Sequence, residues 1–140
     1  MSAFTWALVT ACIWGVVPLM EKIGLGGVTS PMAGVMVRSV GVLLGACLFG
    51  CIASPWAEMR ALSWSSIACL VGGGLLASVI GQLAFYHALR SGALSQVTPV
   101  AGVYPLVAAV LGWVILREPL TLTRVLGVVC VVLGVMLLRR

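Results

Sequence analysis

"TPVAGVYPLVAAVLGWVILREPL", residues 98–120, carries no charge from Thr98 to Leu116, and a run of that length decides the fold. The hydrocarbon core of a bilayer requires about 20 apolar residues for one helical crossing. Two prolines interrupt the run. In water each would break a helix, because proline has no N–H to donate and its ring crowds the carbonyl four residues back. Within a membrane such prolines are tolerated where hydroxyls, neighbouring helices or water take up the freed carbonyls, beside a cavity or a moving part. Pro99 frees the carbonyl of Ser95 and Pro105 that of Ala101, with the hydroxyls of Thr98 and Tyr104 at hand. Both prolines are therefore expected hinge positions in a membrane helix.

The rest of the chain has the same character. Of its 140 residues 62% are hydrophobic and 8% charged, at a mean hydropathy of +1.23, where a soluble domain is about half apolar and a quarter charged. Five apolar runs of roughly spanning length fall at 3–20, 32–53, 65–87, 94–116 and 120–138. The predicted fold is an all-α integral membrane protein, a single domain over residues 1–140 built as a bundle of five transmembrane helices. The connections are too short to fold by themselves. "EKIGLGGVTSP" and "LRSGA" are turns, "SPWAEMRALSW" holds the interfacial Trp56 and Trp64, and "REP" is a corner. The first run has no basic residue before it and no small-residue cleavage pattern after it, so it reads as a retained span.

Several function classes fall away. The five cysteines, Cys12, Cys47, Cys51, Cys69 and Cys130, show no CxxC spacing and no clustered histidine, and read as small packing residues. No metal or cofactor is expected. The net charge of +5 comes from single Lys and Arg residues at run ends, where such side chains anchor helices, so no nucleic-acid partner is expected. No nucleophile–base constellation or phosphate loop is present, and the chain is not read as an enzyme.

With five spans the termini lie on opposite faces. The N-terminal face holds Arg60, Arg117 and Arg124; the other holds Lys22, Arg90, Arg139 and Arg140, with Arg38 as a further contributor. Short cytoplasmic loops are enriched in Lys and Arg, and three against four or five is a near balance. Two outcomes follow: insertion with the C-terminal "LLRR" in the cytoplasm, or insertion both ways and pairing with an inverted copy.

In lipid, helices approach closely where small residues let backbones touch. Gly41 with Gly45, Gly74 with Ser78, Ala77 with Gly81, Ala108 with Gly112, and Gly127 with Gly134 offer such faces. In the fifth run the stretch "VLGVVCVVLGVMLL", polar only at Cys130, reads as a packing or dimerising wall. Polar groups at membrane depth need a reason, since a charge at a helix centre costs about 2.5 to 3.5 kcal/mol. Arg38 lies well inside the second run, Glu21 and His87 close the first and third on the same side, and Gln82 and Tyr86 share one side of the third helix. Thr98 with Tyr104 marks the fourth run, and Thr10 with Trp14 the first. A polar or aromatic stripe on four spans and none on the fifth is the pattern of a cavity lined by four helices. Each residue also has a plainer reading. Arg38 snorkels or pairs with Glu21, Glu21 and His87 sit at headgroup level, Gln82 and Tyr86 bond a neighbouring helix, and Trp14 packs.

The chain resembles the EamA-type branch of the drug/metabolite transporter superfamily. "IWGVVPLMEKIGL" is similar to that family's opening span at Trp14, Gly15 and Lys22, and "SPMAGVMVRSV" to its second at Pro31 and Arg38. The stretch from "FYHALRSGALSQVTP" onward is the strongest match, through Ala88, Leu89, Pro99, Glu118, Gly127 and Gly134. The resemblance implies export or exchange of small organic solutes by alternating access, without ATP. Typical members resemble two such units in one chain, ten spans in an inverted repeat. This sequence is similar to one half, so the resemblance implies that the other half comes from a second chain, an inverted copy being the most economical source.

The expected function is secondary transport of small metabolites or amphipathic drugs by an antiparallel homodimer in a bacterial inner membrane. The expected solute contacts are Trp14, Arg38, Gln82, Tyr86, Thr98 and Tyr104, with Glu21 or His87 as coupling candidates. Glu118, before Pro119, is expected to complement the dipole at the start of the fifth helix. The competing readings are a non-transporting accessory or structural membrane subunit and one half of a heterodimeric transporter.

Overall fold

Helices form along the apolar runs, and the residues that stop them are polar caps and glycines. The computed structural model describes residues 3–119 and 121–137. Leu120, the expected start of the fifth span, and Leu138, Arg139 and Arg140 at its end lie outside the described residues. The chain divides into two units, residues 1–90 and 91–140.

The first unit consists of α1 (Ala3–Leu25), α2 (Pro31–Ala53), the short α3 (Trp56–Arg60), α4 (Trp64–Leu75), a π-helical turn (Leu76–Gly81) and α5 (Gln82–Ser91), which ends one residue past the boundary. α1 and α2, of 23 residues each, and the continuous 28-residue run from α4 through α5 are long and apolar enough to cross a membrane. The starts are capped. Ser30 accepts the Ala33 N–H at 3.2 Å ahead of Pro31, and Ser63 accepts that of Ser66 at 3.2 Å, each satisfying a donor that has no partner inside the helix. α2 ends where Ser54 turns left-handed at φ 47° and its N–H reaches the Gly50 carbonyl.

α1 runs past its expected end at residue 20 to Leu25, so Glu21 and Lys22 lie inside the helix and do not close it. Both are good helix formers, and the stop comes only at Gly26 and Gly27, whose N–H groups fold back on the carbonyls of Ile23 and Gly24. The third span differs in kind: its middle widens into one π turn. There a Cβ on Gly81 would stand 3.0 Å from the Leu76 carbonyl oxygen, so the residue that admits the wide turn is a glycine.

The second unit consists of α6 (Leu94–Ala101), α7 (Tyr104–Val114) and α8 (Leu122–Leu137). α6 and α7 together, 21 residues from Leu94 to Val114, are long enough to span, whereas α8 is a shorter apolar helix of 16 residues. The expected kinked helix is instead broken at Gly102 and Val103, between the two prolines. Pro105 falls in the first turn of α7, where no intrahelical donor is required, so it does not kink a continuous helix. Of these two prolines, Pro99 is the one inside a helix.

Most large apolar side chains point outward, and among the described residues the large ones that are buried are Leu25, Val35, Tyr86 and Leu89. Such a surface suits lipid and not water. The expected small-residue contacts are mostly unused. A Cβ at Gly41, Gly45, Gly74, Gly127 or Gly134 would meet nothing within 4 Å, and all five cysteines are exposed thiols on outward faces, not packing residues.

Candidate functional site

In the first unit three helix faces converge on one carboxylate. Pro18, Glu21 and Leu25 recur on one face of α1 at helical spacing; Pro18 and Leu25 are buried, and the Glu21 side chain is only 10% exposed. α2 presents Gly34, Val35 and Arg38, and α5 presents Gln82, Tyr86 and Leu89. Oε1 of Glu21 accepts three bonds: from Nε of Arg38 at 3.1 Å, from Nε2 of Gln82 at 2.9 Å and from Oη of Tyr86 at 3.1 Å. Charge-assisted bonds of this kind are the strong ones, and a carboxylate at membrane depth needs them. Nη1 of Arg38 is buried and has no partner among the described residues.

The Tyr86 ring reaches the carboxylate because α2 has no side chain at residue 34. A Cβ on Gly34 would stand 2.9 Å from Cδ2 of Leu25 and 3.0 Å from Cε2 of Tyr86. At the same end of the unit, Nζ of Lys22 donates to the Leu89 carbonyl at 2.7 Å and Nη1 of Arg90 to the Thr29 carbonyl at 2.9 Å. These bonds tie α1, its following turn and the end of α5 together.

The structure thus gathers Glu21, Arg38, Gln82 and Tyr86. Trp14 lies on α1 two turns before Glu21 and is 59% exposed, and His87, next to Tyr86, is exposed. Thr98 and Tyr104 belong to the second unit. Oγ1 of Thr98 is buried without a partner among the described residues, so it does not take up a carbonyl freed by proline, and Tyr104, at the start of α7, is 59% exposed. Gly34, the two carbonyl ties and the π turn were not anticipated. The glycine had a signal: in "GVMVR" it stands four residues before Arg38, on the same helix face.

Glu118 does not open α8. Its N–H reaches the Gly112 carbonyl at 3.1 Å after a left-handed Arg117 at φ 54°, and its carboxylate pairs with Arg124 at 3.6 Å. The cap of α8 is Thr121, whose hydroxyl accepts the Arg124 N–H. The physical reason is that the αL turn at Arg117 closes α7 first and places Glu118 on its end. An apolar groove of about 310 Å³ lies between α7 and α8, lined by Leu106, Trp113, Val125 and Val128 with this exposed ion pair at its end.

Helices long and apolar enough to cross a membrane, three of them meeting at a polar cluster, define the class: an integral membrane protein. The match to known families makes it particular. The chain belongs to the EamA-like transporter family, which it matches over residues 1–140, and is a transporter of the drug/metabolite kind. It is 28% identical, over 95% of its length and 93% of the relative's, to an uncharacterized transporter in the cobO 3' region of a Sinorhizobium species. It is 38% identical over 60 residues, 43% of this chain and 44% of the relative, to an uncharacterized protein of Methanocaldococcus jannaschii. No solved structure matches.

Proposed function

We propose that the protein is a secondary transporter of small organic solutes that works by alternating access as an antiparallel homodimer in a bacterial inner membrane. The observation that carries the reading is the convergence of Arg38, Gln82 and Tyr86 on Glu21, a titratable cluster drawn from three helices of a membrane unit. Ionisable groups placed there mark solute and proton paths. In this reading Trp14, Arg38, Gln82 and Tyr86 are solute contacts in the first unit, and Thr98 and Tyr104 are candidate contacts in the second. Glu21 is favoured over His87 as the coupling residue, being the more enclosed of the two. The open glycine faces of α2 and α8 and the near balance of positive charge support pairing with an inverted copy.

The test is a cysteine at position 82 in a chain from which the five native cysteines have been removed. A transport site is wetted, so a polar thiol reagent labels this position and solute protects it. The same cluster in a static accessory subunit would be a dry lock between helices, and an unlabelled position 82 would assign it that role.

A further inference from the structure

The charge balance of the cluster leads further and rests on the transport reading above. Glu21 and Arg38 neutralise each other through Nε alone. That leaves Nη1 of Arg38 as a buried donor without a partner among the described residues. An unpaired buried N–H is costly, and a guanidinium N–H is met most strongly by an anionic oxygen. A cationic solute is less well met: Oε1 of Glu21 already accepts three bonds and the charge of the carboxylate is already paired with Arg38, so only Oε2 is left to receive it.

We infer that the transported solute carries a carboxylate received by Nη1 of Arg38, and that it binds together with one proton on Glu21. The proton follows from electrostatics. A carboxylate added to a neutral pair leaves a net negative charge at membrane depth, which a low-dielectric setting penalises heavily. Protonation of Glu21 at Oε2, the oxygen outside the three bonds, restores neutrality and supplies an O–H that donates to the second oxygen of the solute carboxylate. The proton comes from a hydronium ion of the solution: one of its O–H bonds breaks, the electron pair stays on the departing water, and the O–H of the Glu21 carboxylic acid forms. A phosphate monoester fits less well, since its second charge would need a second acid.

The other charged and titratable groups of these elements make contacts of their own or lie outside the cluster. On α1, Lys22 is tied to the Leu89 carbonyl; on α2, Arg38 is the cation itself; on α5, Tyr86 already donates to Glu21, Arg90 is tied to the Thr29 carbonyl, and His87 is on the exposed side.

The test titrates the purified full chain with acetate, benzoate and decanoate, each against its primary amide and its amine, in weakly buffered solution containing a pH indicator. The expected result is binding of a carboxylate at least about tenfold tighter than its amide, with uptake of about one proton per molecule bound and affinity falling by up to about tenfold per pH unit as the solution becomes alkaline. Arg38→Lys, which keeps the charge and loses the fork, weakens the carboxylate preference, and Glu21→Gln abolishes proton uptake. Preference for the amine, or carboxylate binding with no proton taken up, overturns the inference while leaving a solute site in place. Binding of no probe overturns the carboxylate assignment; if position 82 is also dry, the transport reading falls with it.

Discussion

A carboxylate survives at the level of Glu21 because three donors on two other helical elements meet one of its oxygens. Removing one partner is therefore worse than removing both. Arg38→Ala is expected to cost about 3 to 5 kcal/mol, and the double variant Glu21→Gln with Arg38→Gln clearly less, since it leaves no uncompensated charge. Thermal unfolding in detergent compares the two, and a double variant as unstable as the single would show that the pair is not coupled in this way. Gly34 makes a second prediction. Its Cβ would press on Leu25 and Tyr86, so Gly34→Ala is expected to cost about 1 to 3 kcal/mol by overpacking, and pairing it with Leu25→Ala should recover part of the loss. Much of the cluster was legible in the sequence: Glu21 and Arg38 stand at similar depth on consecutive spans, and Gln82 and Tyr86 share a helix face. What was not legible is the single oxygen on which they meet, because that depends on how far α5 is rotated about its axis.

That rotation is expected to be set by a whole element. The π turn from Leu76 to Gly81 inserts extra backbone just before Gln82, and such turns often accompany functional sites. Apolar spacing alone does not reveal it, as a π turn and an α turn of the same small and apolar residues look alike in sequence. Gly81→Ala should bring a Cβ against the Leu76 carbonyl and push the turn toward α geometry. The expected outcome is a change in the labelling rate of a cysteine at position 82, with helix content by circular dichroism unchanged; an unaltered rate would mean that the π turn does not orient α5. The fourth span teaches a related lesson. Its prolines announced a break, yet the break sits between them at Gly102 and Val103, because Pro105 is compatible with a helix start and Pro99 is accommodated inside α6. Sequence marks that a helix is interrupted more reliably than it marks where.

At the scale of the molecule, the outward-facing apolar side chains and the few buried ones describe a chain whose solvent is lipid, and composition alone had made that plain. Assembly was less legible, since the charges that orient the chain nearly cancel. Paired reporters fused to the C-terminus, one active only inside the cytoplasm and one only outside, are expected to report both locations for the antiparallel dimer; a purely cytoplasmic signal would turn the search to a different partner chain. The packing of the first unit bears on what an inverted copy would add in the proposed dimer. The ties from Lys22 to Leu89 and from Arg90 to Thr29, with the Leu25, Gly34 and Tyr86 packing beside them, all fall at one end of the helices. If the alternating access proposed above pivots at that end, the far ends are the ones that swing apart, as in a clothes-peg. In the antiparallel dimer proposed above each unit would then open at one mouth, and the inverted copy, a peg set the other way up, would supply the second door.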